Sequence, residues 1–191
     1  MYWYNPANKK IPFFITGFIL LLGIAACKRD SAASADTMKF FDIKGFFRAD
    51  SLRLTKLNPL VEKTVTHDKV AETRKVHIEN WGNELSLFIG SDINKPAWKD
   101  SYNITTDNGL LVYRANDPSL KTTEVVIKKD GDRVKWILIY NHTKNILYQT
   151  DEKLSYFPDS LYLIQKVQWV KLLGRESYGI RGTLINDARS K

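Results

Sequence analysis

Chemistry needs nucleophiles, metal ligands or paired acids at a usable spacing, and this chain offers few. Cys27 is its only cysteine, and it closes the apolar run of FILLLGIAACKRD just before Lys28, Arg29 and Asp30 turn the sequence charged. His67, His77 and His142 stand far apart, with no CxxC pair and no HExxH helix, so no metal-ligand spacing is present. His67 and His142 fall where turns are expected, which favours solvated imidazoles, while His77 falls in a strand as a rim or packing residue. The chain has no GxSxG elbow and no phosphate-cradling glycine loop. Its acidic pairs, Asp130/Asp132 and Asp151/Glu152, sit at expected turns and read as solvated charge. No catalytic residue, metal or cofactor is therefore assigned. A hydrolase would require carboxylates or His77 to converge from distant segments.

The residues ahead of Cys27 follow the order of an export signal. Lys9 and Lys10 are positive, Ile11 to Ile24 carry no charge, and Ala25 and Ala26 are small. A spanning helix takes about 20 apolar residues, and this run fits the shorter class of signal segments. Ile24-Ala25-Ala26-Cys27 resembles the lipobox of bacterial lipoproteins. The resemblance implies that the Cys27 thiol is diacylglycerated, that residues 1–26 are removed as a signal peptide, and that the new amino terminus is acylated. An uncleaved anchor helix and an ordinary secretory signal are the alternatives. Two or more acyl chains anchor stably, at ~0.8 kcal/mol per buried methylene. With its thiol committed to lipid, the mature domain would fold on core burial without a disulfide. Lys28 stands where inner-membrane lipoproteins of enteric bacteria carry aspartate, so the implied address is the outer membrane, periplasmic or surface-facing. The resemblance covers the first 27 residues and implies nothing about the fold that follows.

Residues 27–37 are small and polar after the cysteine and read as a flexible tether. Asp30-Ser31-Ala32 and Asp36-Thr37-Met38 resemble the Asp-Ser/Thr-apolar acceptor of O-glycosylation in the Bacteroidota, which makes Ser31 and Thr37 candidate sugar sites. The same triplet at Asp50-Ser51-Leu52 and Asp159-Ser160-Leu161 reads rather as cap or turn chemistry. Asn103-Ile104-Thr105 and Asn141-His142-Thr143 likewise read as turns.

Residues 38–191 have the size of one domain with its own core. A helix is expected from Met38 to Leu57, capped by Thr37 and stopped at Asn58-Pro59, with Phe40, Ile43, Phe47, Leu54 and Leu57 on one face. Gly45 weakens that expectation. Leu60 to Ile78 alternates around His67-Asp68-Lys69 as a hairpin. Asn80 then caps a second helix that places Trp81, Leu85 and Phe88 together, and Asp92 to Trp98 forms a loop. Asn108-Gly109 and Asp130-Gly131 mark tight hairpin turns in a following antiparallel meander. The expected class is α+β: a strongly curved sheet of about eight strands with two helices packed on it.

Strands exposed on one face alternate apolar and polar residues, and VKWILIY does not. Val134, Trp136, Leu138 and Tyr140 should share one face, and Ile137 and Ile139 the other. Leu161 to Val170 shows the same two-sided character. Two helices cover only one face, so the other should pack into a second core layer or meet something bound. The leading reading is a non-catalytic binding module that holds an apolar ligand or acyl chain against Trp136, Leu138, Tyr140 and Trp169. A partner-docking or structural envelope protein, using a sheet edge or the Asp92–Trp98 segment, is the alternative. The formal charge of +8 suits lipid phosphates or acidic glycans. Export takes the chain away from nucleic acid, and a basic surface disfavours a cationic protein partner.

Overall fold

The computed structural model describes residues 38–185. The signal segment, Cys27, the tether, Ser31 and Thr37 lie outside the described residues. The fold is α+β: one open nine-stranded antiparallel sheet, with its helices gathered on one face.

The first helix, α1 (Ile43–Leu57), begins five residues later than the periodicity suggests. Its cap is Asp42, whose carboxylate accepts the Gly45 N–H at 2.8 Å. A Cβ at Gly45 would collide with that carboxylate, which explains a glycine in the first turn. Phe40 is buried, as expected, but outside the helix. Asn94 holds it there, accepting from the Phe40 N–H and donating to the carbonyls of Phe40 and Phe41. Phe40 then packs edge-on against Tyr102 and Tyr113. α1 stops at Asn58, as expected, with Asn58 in the left-handed conformation, yet Leu57 is exposed and not part of the core.

The hairpin β1 (Leu60–His67) and β2 (Val70–His77) turns at Asp68-Lys69. Asn80 caps the next helix by accepting the Asn83 N–H at 2.9 Å. That helix breaks at Leu85 into two single turns, α2 (Trp81–Glu84) and α3 (Ser86–Ile89), with Trp81, Leu85 and Phe88 fully buried. A 3-10 turn at Pro96–Trp98 leads into the meander: β3 (Tyr102–Asp107), β4 (Leu110–Ala115), β5 (Thr122–Asp130), β6 (Arg133–Lys144), β7 (Tyr148–Phe157), β8 (Leu161–Val170) and β9 (Gly174–Ile185). The spatial order is β2-β1-β9-β8-β7-β6-β5-β4-β3. Both chain-distant neighbours, β1 and β9, pair along their length, from Leu60 opposite Ile185 to His67 opposite Tyr178.

The core lies between the helices and one sheet face. Phe47, Phe88 and Tyr156 form an aromatic centre, and Trp81 stands edge-on to Tyr162. Ile137, Ile139, Leu154 and Ile164 complete it from below. Burying side chains of this size contributes roughly 1.5–3 kcal/mol each.

Candidate functional site

Cross-strand register decides which side chains share the face opposite the helices. Val126 stands opposite Leu138, Leu138 opposite Ser155, and Ser155 opposite Leu163, with Val112 completing the row on β4. Trp136 lies one row toward the β5–β6 turn, and Tyr140 one row the other way, opposite Lys153. Trp136, Leu138 and Tyr140 are half-buried there, as are Val112, Val126 and Leu163. The helices pack on the other face, against Tyr156 and Tyr162, and Phe40 packs there against Tyr113.

Val134 is a correction. A bulge at Lys135 shifts the pairing, so that Lys128 opposes Trp136 and Lys129 opposes Val134. The extra residue reverses the alternation and sends Val134 to the helix face with Ile137 and Ile139. Trp169 does share the face of Trp136, but in the row of Gln149 and Lys144. Eight residues separate Trp136 from Lys144 along β6, about 27 Å at strand spacing. The three β6 side chains form one surface; Trp169 belongs to another.

Between them lies an open cleft of about 440 Å³, lined on this face by Tyr140, His142, Asp151, Lys153, Gln165 and Val167. It runs on beside Gly179, where Gln165, Val167, Ser177 and Thr66 line a second depression of about 260 Å³. His142 is not in a turn, because β6 continues to Lys144. Its Nδ1 lies 2.6 Å from the Asp151 carboxylate across the β6–β7 pair. That hydrogen bond holds the Asp151 carboxyl below the usual carboxylate range. His67 ends β1 with its ring stacked on Tyr178, and His77 sits at the rim, its Nδ1 2.9 Å from the Asn58 carbonyl.

Behind the cleft, on the helix face, Asn141 donates to Ser91 Oγ at 2.9 Å and to Glu152 at 3.2 Å. Glu152 also faces Lys166 at 3.9 Å. The Asn141 amide is therefore a packed group. A second buried cluster joins Asp50, Tyr156 and Arg53: the Tyr156 hydroxyl donates to Asp50, and Arg53 bridges Asp50 at 2.5 Å and Asp159 at 2.6 Å. Burial first, and then the Asp50 carboxylate, push the Tyr156 phenol far up. Sequence periodicity gave no sign of either cluster, since each joins side chains from distant elements. Ser51 is buried and donates to the Phe47 carbonyl at 2.7 Å, and Asp159 is a left-handed turn residue, so both triplets are local structure.

The Asp92–Trp98 segment is tied down. Ile93 is fully buried, Asn94 clasps Phe40 and Phe41, and Lys95 lies 3.8 Å over the Trp98 ring. Among the described residues no group of three or more His, Cys, Asp or Glu is placed to hold a metal ion, and no helix is long and apolar enough to cross a membrane. Comparison of the chain with family models, with curated proteins and with solved structures finds no match in any of the three.

Proposed function

We propose that the chain is a lipid-anchored envelope lipoprotein, acylated at Cys27, whose domain is a non-catalytic binding module for an apolar ligand or acyl chain. The observation that carries the binding half is the face opposite the helices. Val112, Val126, Leu138 and Leu163 form a row across β4–β8 that only Ser155 on β7 interrupts, with Trp136 and Tyr140 at its borders. A face meant only for water would alternate to polar residues there. Lys153 beside Tyr140 would receive a carboxylate or phosphate head at the mouth of the cleft. The anchoring half rests on the lipobox resemblance and the acyl-chain energetics.

Native mass spectrometry of protein drawn gently from its own envelope tests the binding half. Retention of a lipid-sized mass, lost in a Leu138→Glu variant of normal stability, is the expected result; protein free of any adduct would count against it. The second reading, a protein partner on the same face, is favoured by the openness of both depressions. It would appear as a co-purified chain rather than a small mass. Intact mass of the mature amino terminus reads Cys27 separately.

A further inference from the structure

Three hairpin turns at one end of the sheet are polar, as tight turns should be: Asn108-Gly109, Asp130-Gly131-Asp132 and Pro158-Asp159-Ser160. Two turns at the opposite end break that rule. The β6–β7 turn carries Ile146 and Leu147, which are 87% and 67% exposed, and the β8–β9 turn carries Leu172 and Leu173, at 93% and 78%. Turn geometry does not require these residues. Asn145 closes the first turn by accepting from Leu147 and Tyr148, and Gly174, at φ +91°, closes the second. The two tips are neighbours, since Lys171 donates to the Leu147 carbonyl at 3.0 Å. A notch of about 380 Å³ between them is lined by Trp169, with Tyr148 on its other side.

Four aliphatic side chains in water, rimmed by a tryptophan and a tyrosine, have the composition of a surface that enters a bilayer interface. The charge agrees. Lys144, Lys171 and Arg175 flank the tips, and no acidic residue lies within 144–148 or 170–175. The neighbouring β1–β2 turn adds an exposed Val70, with Lys69 beside Asp68. The chain also enters the fold at this end. Lys39 pairs with Asp100 just before β3, level with the end of β4, where Ser101 receives the Asn116 N–H. The ten residues from Lys28 to Thr37 reach at most about 36 Å when extended, so a group anchored at Cys27 and these tips can meet one membrane surface.

We propose that the Ile146-Leu147 and Leu172-Leu173 tips, with Trp169, dock into the interfacial layer of an anionic bilayer and stand the domain on end. This rests on the chain being membrane-tethered, by acyl groups or by any other anchor.

The test reconstitutes the full chain into vesicles of phosphatidylcholine, alone or with an equal amount of phosphatidylglycerol, whose acyl chains are brominated. Wild-type tryptophan emission should be quenched more with the anionic lipid, and that extra quenching should vanish in Trp169→Phe and in the paired Leu172→Asp, Leu173→Asp variant. Far-UV circular dichroism checks that both variants keep the fold. Quenching that is unchanged by Trp169→Phe, or tips that exchange amide hydrogens freely on vesicles and are protected only by an added envelope protein, would overturn the proposal. Intact mass of the same sample reports acylation of Cys27, so the failure of the anchor and the failure of the tips are read apart.

Discussion

Gly182 lies against the hydroxyl edge of the ring of Tyr162, its partner across the β8–β9 pair, so that a Cβ on Gly182 would lie 2.2 Å from Cε1 and Cζ. The ring cannot yield cheaply. It is fully buried, stands edge-on to Trp81, and donates through its hydroxyl to Glu84 at 2.6 Å, which Lys63 holds from β1 at 2.8 Å. Glycine here serves close approach, since its backbone is ordinary extended strand. Gly182→Ala is expected to cost about 3 kcal/mol, the upper end for overpacking. A urea melt would show it as a lower midpoint at unchanged slope, and Tyr162→Leu in the same chain should recover part of the loss.

The Asp50 carboxylate in α1 is buried and satisfied by Tyr156 and Arg53. Tyr156→Phe removes one donor and leaves a charge only partly compensated, at an expected cost of about 1–3 kcal/mol. Tyr156 and Asp50 are in direct contact, so the pair should couple. A double-mutant cycle with Asp50→Asn should return a non-zero interaction energy. Additive losses would show that Tyr156 and Asp50 act independently.

Two glycines share a turn signature but differ in surroundings. Gly109 has φ +71°, and a Cβ there would lie 2.6 Å from the Lys129 carbonyl oxygen; Gly131 has φ +59° and open space around it. Gly131→Ala should therefore cost only the left-handed penalty, about 1–2 kcal/mol, whereas Gly109→Ala adds a backbone collision. Thermal melts of both variants would rank them; equal midpoints would refute the steric difference.

Alkaline pH should destabilise the fold. Burial pushes the Tyr102 phenol up to about 12 and drives those of Tyr156 and Tyr162 higher still. Below pH 10 both folded and unfolded chains keep these protons. Above it the unfolded chain releases them and the folded chain does not, so stability falls as pH rises from 10 through 12. Each such tyrosine contributes up to about 1.4 kcal/mol per pH unit. Denaturant midpoints between pH 9 and 12 check the slope, which should be shallower in Tyr102→Phe.

Much of the fold was legible because it is written locally. Asn80 as a cap, the Trp81–Leu85–Phe88 triplet and the turns at Asp68-Lys69, Asn108-Gly109 and Asp130-Gly131 need only a few consecutive residues, and each stands where the sequence places it. The shared face of Trp136, Leu138 and Tyr140 was readable for the same reason. The middle of β7 was not: Asp151 and Glu152 read as a solvated turn but lie within the strand, where buried Glu152 occupies an inward position and disguises the alternation. The bulge at Lys135 is equally silent, and alternation alone puts Val134 on the wrong face.

By itself, then, the sequence determined the α+β class, the Asn80 cap and the tight hairpin turns, since caps, turns and period-two alternation depend on near neighbours. Tertiary structure alone decided that β1 slots beside β9, that Asn94 pulls Phe40 out of the helix, and that His142 meets Asp151. It also brought Ile146-Leu147 beside Leu172-Leu173. Those outcomes depend on strand pairing and register across long chain separations, which no local pattern encodes.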